Sequence, residues 1–359
     1  MNIFSRYIIR NLFIGFAAAA ALLIPLFTTF DFINELDDVS SGGYRWSQAL
    51  LVVLMRVPRW LIDLGPFVAL LGGIVGLGQL SKSMELTAMR TAGFSIFRIA
   101  KVALTAGLIL IVGLGALDEW VASPLQQHAL QIKDTAMAEA ENSSNNGNAL
   151  WARHNDEFVT VNALDVNNQP IGIEIFNYKP DLSLESYIYA KNATVLDKGM
   201  WELHGVNQKT WVNGQETVAI KDSLQWQSIF TDTSLKELSM PSDSFSIKQL
   251  SHYINYLQNT NQPSTEFKLA LWQKLGRPIL ILAMILLTVP FTFSNPRAPG
   301  LGSRLAVGVI IGLLTYISYQ IIVNLGLLFN LNVQLTTLAP PVLMLAIALT
   351  LVYRFDKHH

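Results

Sequence analysis

Ser81-Lys-Ser-Met-Glu-Leu-Thr-Ala-Met-Arg-Thr-Ala-Gly-Phe-Ser-Ile-Phe-Arg-Ile-Ala-Lys101 is a short charged excursion between two long apolar runs. Ser81 or Ser83 can cap a helix N-terminus. Glu85 falls in the first turn and Arg90 in the last, as the helix dipole favours. Gly93 supplies a left-handed stop. Leu86, Met89 and Gly93 share one face. The spacing predicts a compact amphipathic helix over about 82–93, held at a membrane surface. Such a helix is either a solvated turn between spans or a docking surface for a soluble partner.

Working outward, six stretches approach the ~20 apolar residues that a bilayer core requires. They cover residues 12–33, 61–80, 102–121, 275–293, 305–329 and 337–353, the last being short and interrupted by Pro340-Pro341. The first reads as a span rather than a cleavable signal core, because it is too long and acidic residues follow it. Arg6, Arg10, Lys82, Arg90, Arg98, Lys101, Arg297, Arg304, Arg354 and Lys357 fall on one side of these spans. The short loops of the other side hold Arg45, Arg56 and Arg59 beside Asp31, Glu35, Asp37 and Asp38. The basic bias places both termini and the Ser81–Lys101 segment in the cytoplasm and the long middle segment outside. Gly72/Gly76 and Gly308/Gly312 form two GxxxG pairs, suited to close helix contact within the chain or between subunits.

The predicted architecture is therefore an α+β membrane protein. Residues 1–121 hold three spans, 122–268 form a large external domain, and 269–359 hold three more spans. Within the external domain, the polar connector 142–148 precedes segments of β character at 150–153, 157–164, 172–178, 186–196, 201–212 and 216–226. Asn167-Asn168, Lys179-Pro180-Asp181, Asp197-Lys198-Gly199 and Asn213-Gly214 separate them as turns. This spacing predicts an antiparallel sandwich or partly open barrel. Trp151, Phe158, Phe176, Tyr187, Tyr189, Trp201, Trp211 and Trp226 are expected as its core rather than as a ligand cage. A helix is expected over 244–258.

Composition excludes several functions. The 359 residues are 51% hydrophobic and 14% charged, with net charge -1 and mean hydropathy +0.35; nothing here attracts nucleic acid. The chain has no cysteine, no His-Glu-x-x-His and no Gly-x4-Gly-Lys-Ser/Thr phosphate loop. It is not itself an ordinary P-loop ATPase. The adjacent carboxylates Asp118 and Glu119 point about 100° apart on a helix, so they make no acid/base pair. Asp63, Lys274 and Arg277 lie at the outer ends of spans. The two cations either snorkel to headgroups or face a polar cavity. Asp63 would pair with Arg59 or with a cation across the bundle. Lys133, just beyond the third span, meets a phosphate or solvent.

Several motifs resemble one family. Leu77-Gly78-Gln79-Leu80 with Ser83 through Phe94 resembles the coupling-helix segment of the permeases of the lipopolysaccharide-export ABC transporter. Glu119-Trp120-Val121 with Pro124 is similar to that family's exit from the third span, and Phe267 through Lys274 to its return into the membrane. Gly302-Ser303-Arg304-Leu305 and Tyr316 through Gln320 look more like the G-type than the F-type member.

The resemblance implies a jellyroll-like periplasmic β domain in a multi-pass protein of the bacterial inner membrane. It implies an F-type paralogous permease as partner, and two copies of a cytoplasmic ATPase that bind ATP and Mg, so that this chain needs no cofactor. A single-span membrane β-jellyroll protein and a periplasmic bridge protein would receive the lipopolysaccharide. Glu85, Met89, Arg90 and Phe94 would dock the ATPase. Phe27, Phe30, Tyr316 and Tyr319 would line the lipid cavity. G-type members often carry lysines at the outer end of the first span; here the matching positions hold Asp31, Asp37 and Asp38. Those carboxylates repel phosphate unless a divalent cation bridges them. The headgroup phosphates would then fall to Lys133, Lys274, Arg277 or the paralogue, or the lipid carries fewer of them. Two other classes stay open: a mechanotransmitting ABC subunit acting on lipoproteins or periplasmic partners, and a membrane-anchored periplasmic scaffold.

Overall fold

A computed structural model describes residues 3–39, 43–140, 150–154, 156–164, 169–179, 183–196, 199–212, 215–228, 240–259, 262–292, 301–329 and 331–358. In chain order the first helices are α1 (Ile3–Leu36), α2 (Trp46–Asp63), α3 (Gly65–Lys82), α4 (Glu85–Thr91) and α5 (Ile96–Leu117). A π turn (Asp118–Ala122) joins α5 to α6 (Ser123–Ala140). Strands β1 (Leu150–His154), β2 (Glu157–Leu164), β3 (Pro170–Tyr178), β4 (Leu184–Val195), β5 (Met200–Val212) and β6 (Gln215–Gln227) follow. The chain closes with α7 (Ile247–Asn259), α8 (Thr265–Thr292), α9 (Leu301–Leu328) and α10 (Val333–His358). Two compact units result. One comprises Met1–Val39, Arg45–Lys133 and Lys268–His359, and the other Ser40–Tyr44 and Asp134–Phe267.

In the β unit all six expected strands form, within two residues at each start. Their order is β1-β2-β3-β4-β5-β6, every neighbour antiparallel. The antiparallel domain is thus a meander among the described residues, where a jellyroll carries Greek-key crossovers. The sheet is strongly curled. Strands lie about 4.8 Å apart, so β2 and β6 would be about 19 Å apart if it were flat. Yet Trp226 Nε1 on β6 donates to Glu157 Oε1 on β2 at 2.9 Å.

A crease explains part of this curl. The paired residues skip Asn162–Gly172, Gly172–Lys191, Lys191–Gly205 and Gly205–Asp222, a continuous line across β2 to β6. Gly172 and Gly205 on that line have φ of +65° and +63°, open to glycine without strain. Inward residues change phase there: Ala190 then Ala193 on β4, Leu203 then Val206 on β5. The strands turn while their apolar side chains stay on the concave core around Val159, Ile173, Ile175 and Trp201. Of the expected core aromatics, Trp201 is fully buried and Trp226 packs on it edge-to-face, whereas Tyr189 is exposed. The Trp151 side chain, the connector 142–148 and the turn residues 167–168, 180–181, 197–198 and 213–214 lie outside the described residues.

Five runs in the described residues are long and apolar enough to cross a membrane: Ile3–Leu36, Ile96–Met137, Thr265–Thr292, Leu305–Leu328 and Val333–Lys357. The bent pair α2 and α3 makes a sixth when counted as one span. The last run, expected to be short, has 25 residues. Two boundaries differ from expectation. Arg56 and Arg59 sit not in a loop but on α2, which meets α3 at 65°. Pro66 lacks the N–H that would reach the Ile62 carbonyl, so the helix breaks at Leu64. The third span does not end at residue 121 but runs on through the π turn into α6.

α3 is the centre of the membrane unit, buried on nearly every face. Both GxxxG pairs serve contact within the chain. A Cβ on Gly72 would stand 2.6 Å from Phe16 Cα, and one on Gly76 2.6 Å from the Asn11 carbonyl oxygen, both backbone atoms of α1. Gly15 of α1 approaches the Gly72 carbonyl as closely. Gly308 and Gly312 of α9 lie against Ile74 and Phe67 of α3. Backbone cannot yield as a side chain can, so Gly72→Val is expected to destabilise the membrane unit by about 1–3 kcal/mol or more. Gly113→Val, with nothing within 4 Å of its Cβ, should leave the detergent melting temperature unchanged; equal melting of the two variants would refute the crossing.

Candidate functional site

The short helix α4 forms by the means its sequence indicates, with one exception. Its C-terminus is a Schellman turn: Phe94 N–H donates to the Met89 carbonyl at 3.0 Å and Gly93 N–H to the Arg90 carbonyl at 2.9 Å. Gly93 has φ +89°. At the N-terminus neither Ser81 nor Ser83 caps. Lys82 completes α3, and Met84 makes the corner at φ +62°, uncommon for a side chain with Cβ. Ser83 Oγ donates instead to Glu85 Oε1 at 2.7 Å. Ser81 Oγ donates to the Thr292 carbonyl of α8.

Burial divides the four expected docking residues. Leu86, Met89 and Phe94 are buried in the core of the membrane unit, Phe94 edge-to-face with Phe4 at 5.1 Å. Met89 and Phe94 therefore seat α4 from beneath and offer no surface to a partner in this structure. Glu85 and Arg90 are half-buried at the rim. The outward face consists of Met84, Thr87, Ala88 and Thr91, with Met84 58% exposed.

A second cluster gathers the charges at the other end of the spans. Asp31 and Glu35 lie one turn apart on α1. Arg56 of α2 meets Glu35 at 2.7 Å and Asp31 at 3.6 Å, and Trp60 Nε1 donates to Asp31 at 3.2 Å. Lys133 of α6 meets Glu35 at 2.7 Å and Asp38 at 2.6 Å. Deeper, Lys274 Nζ holds both oxygens of Asp118 at 2.7 and 3.0 Å, and Arg59 Nη1 meets Asp118 at 3.2 Å. Asp63 bridges Arg59 at 3.3 Å and Arg277 at 2.9 Å, so both of its expected partners are present.

All three expected headgroup cations thus have internal carboxylate partners. The Lys274 side chain is 3% exposed, Lys133 18% and Arg277 22%. Lys274 does not snorkel; it is buried as half of an ion pair. Sequence reasoning missed Asp118, Arg56 and Glu35. A carboxylate at the end of an apolar run needs a cation at its own depth, which would have singled out Asp118. The π turn that aims it inward leaves no periodic trace. Asp31 and Asp38 face Arg56 and Lys133, and Asp37 is exposed in the turn after α1. Among the described residues no group of three or more His, Asp or Glu is arranged to hold a metal ion.

The expected cavity residues occupy two helices that flank α3. On α1, Phe27 packs on Trp60 at 5.4 Å and Phe30 is exposed. On α9, Tyr316 is exposed, contacts Phe67 at 6.1 Å and accepts from Gln320 Nε2 at 3.1 Å; Tyr319 is half-buried. Within one chain the two pairs thus meet different helices, Phe27 packing on α2 and Tyr316 on α3.

Breaking one partner of a buried ion pair costs about 3–5 kcal/mol, whereas replacing both by apolar groups can be neutral. Asp118→Leu should lower the detergent melting temperature sharply, and Asp118→Leu with Lys274→Met should recover most of the loss. Additive loss in the double variant would show that the pair is not the source.

The arrangement offers surfaces, not reaction chemistry: a seated helix at one end of the spans and neutralised charges at the other. Comparison with known proteins covers nearly the whole chain. The sequence profile described as "Lipopolysaccharide export system permease LptF/LptG" matches residues 6–354. The chain is 27% identical over 346 residues to lipopolysaccharide export system permease protein LptG of Haemophilus influenzae, covering 96% of each chain. It is also 27% identical over 359 residues to LptG of Escherichia coli K12, covering 98% of each. This chain belongs to the LptF/LptG family of lipopolysaccharide export permeases.

Proposed function

We propose that this chain is the G-type permease subunit of a lipopolysaccharide-export ABC transporter, and that α4 is where it receives force. The carrying observation is the construction of α4: seven residues between two spans, seated on three buried apolar side chains and closed by a Schellman turn. The basic bias puts α4 and both termini in the cytoplasm and the β unit in the periplasm. A separate ATPase, in two copies, binds ATP and Mg and docks on α4 and on its counterpart in an F-type paralogue. The chain itself catalyses no reaction. A single-span membrane β-jellyroll protein and a periplasmic bridge protein take the lipid onward.

The partner would read the outward face of α4: Met84, Thr87 and Thr91, with Glu85 and Arg90 at its rim. Phe30 and Tyr316 have the exposure that an acyl chain needs. Phe27 and Tyr319 stand behind them. Because α1 and α9 use different faces of α3, a lipid cavity needs both faces completed by the paralogue. Lys133 and Arg277 are the cations accessible enough to exchange a carboxylate for a lipid phosphate.

Glu85→Lys and Met84→Asp should each reduce copurification of the ATPase by about tenfold, equivalent to about 1.4 kcal/mol, without lowering the melting temperature. Met89→Asp should lower the melting temperature itself. Unchanged ATPase recovery with both outward-face variants would remove α4 as the docking site.

A further inference from the structure

The segment carrying α4 is tied at each end to the C-terminal half of the chain. On the near side, Ser81 Oγ donates to the carbonyl of Thr292, the last residue of α8, at 2.9 Å. On the far side, the Asp356 carboxylate on α10 accepts from Phe97 N–H, the second residue of α5, at 3.2 Å. The two ties bridge sequence separations of 211 and 259 residues. The second uses a group that a helix end leaves open: the first four N–H groups of α5 have no partner within their own helix. Ser95 serves Arg98 N–H in the same turn of α5, so Asp356 supplies a second acceptor there. A carboxylate there also matches the positive end of the helix dipole.

We propose that Ser81 and Asp356 are positioning residues that make α4 move as one body with α8 and α10, so that force applied to α4 reaches the second half of the bundle. The inference rests on the reading of α4 as the docking helix. Covalently, α4 is joined only to α3 and α5. Push on it alone and Met84, with its left-handed corner, and Gly93 offer pivots on either side. A tie beyond each pivot fixes where that pivot sits relative to α8 and α10, so displacement of α4 as a whole is passed on. Beneath the Ser81 tie the helices are in close contact: a Cβ on Gly73 of α3 would stand 2.4 Å from Thr288 Cγ2 of α8. Displacement of α3 there cannot be absorbed by slack and passes to α8. The ties lie at helix ends and at partly exposed side chains, where their loss spares the buried core.

The experiment uses the whole transporter in proteoliposomes containing lipopolysaccharide, with the Ser81→Ala/Asp356→Ala double variant. Copurification of the ATPase and the melting temperature should match the unaltered protein. Lipopolysaccharide released per ATP hydrolysed should fall about fivefold or more, the range of a typical coupling energy. Asp356→Glu in place of Asp356→Ala, with Ser81→Thr in place of Ser81→Ala, should restore the ratio, because both keep the bonding group. An unchanged ratio in the double variant would overturn the proposal. So would loss of the ATPase from the complex, which would make the two residues part of docking. Failure of the docking reading is separate: the ATPase would then persist on the Met84→Asp and Glu85→Lys variants while the double variant is unaffected.

Discussion

How closely other helices can approach α3 governs the membrane unit. In lipid, apolar surface gains nothing by leaving lipid for protein, so helices associate through tight packing and polar contacts. α3 answers with glycine where α1 crosses it, and α9 answers with glycine where it meets Ile74 and Phe67. Backbone then lies against backbone along the crossing with α1. Everything else in the unit is arranged around that central helix: α8 enters beside it at Gly73, and α4 hangs from its end. α1 meets α3 at Gly72 and Gly76, whereas α9 meets it at Ile74 and Phe67, so the two helices use different faces of α3.

The charged cluster is the second constraint, and it follows from the first. Close packing at α3 draws the ends of α2, the π turn and α8 together, and charges on those ends must then be matched. Asp118, Lys274 and Arg59 are taken out of water as a set. Such a set gives little net stability, but a missing member would be costly. The carboxylates at the end of α1, which would repel a phosphorylated lipid, are turned to Arg56 and Lys133 instead. An acidic surface on paper is close to neutral in space.

Much of this was legible from residue order. Spans, strands, the Schellman stop at Gly93 and the apolar face of α4 all follow from short-range spacing, where steric and hydrogen-bonding rules act within a few residues. Residue order misleads where one local signal conceals another. The arginines of α2 looked like a loop because polar residues interrupt its apolar face. Ser81 looked like a cap because serine near a helix start usually is one; here the residue completes α3 and bonds to α8. Met89 and Phe94 turn into the core rather than toward a partner, since periodicity shows that a face is apolar without showing what covers it.

What the chain determined alone is its division into apolar helices and an alternating β segment, and through motif resemblance its family. These rest on periods of 3.6 and 2 residues and on local turn chemistry. Tertiary structure alone decided that both GxxxG pairs pack within the subunit and that Lys274 belongs to Asp118. It also decided that the sheet curls along the Gly172–Gly205 crease and that Ser81 and Asp356 reach across more than 200 positions. Each of these depends on which residues meet at a given depth or register, and separation along the chain carries no information about that.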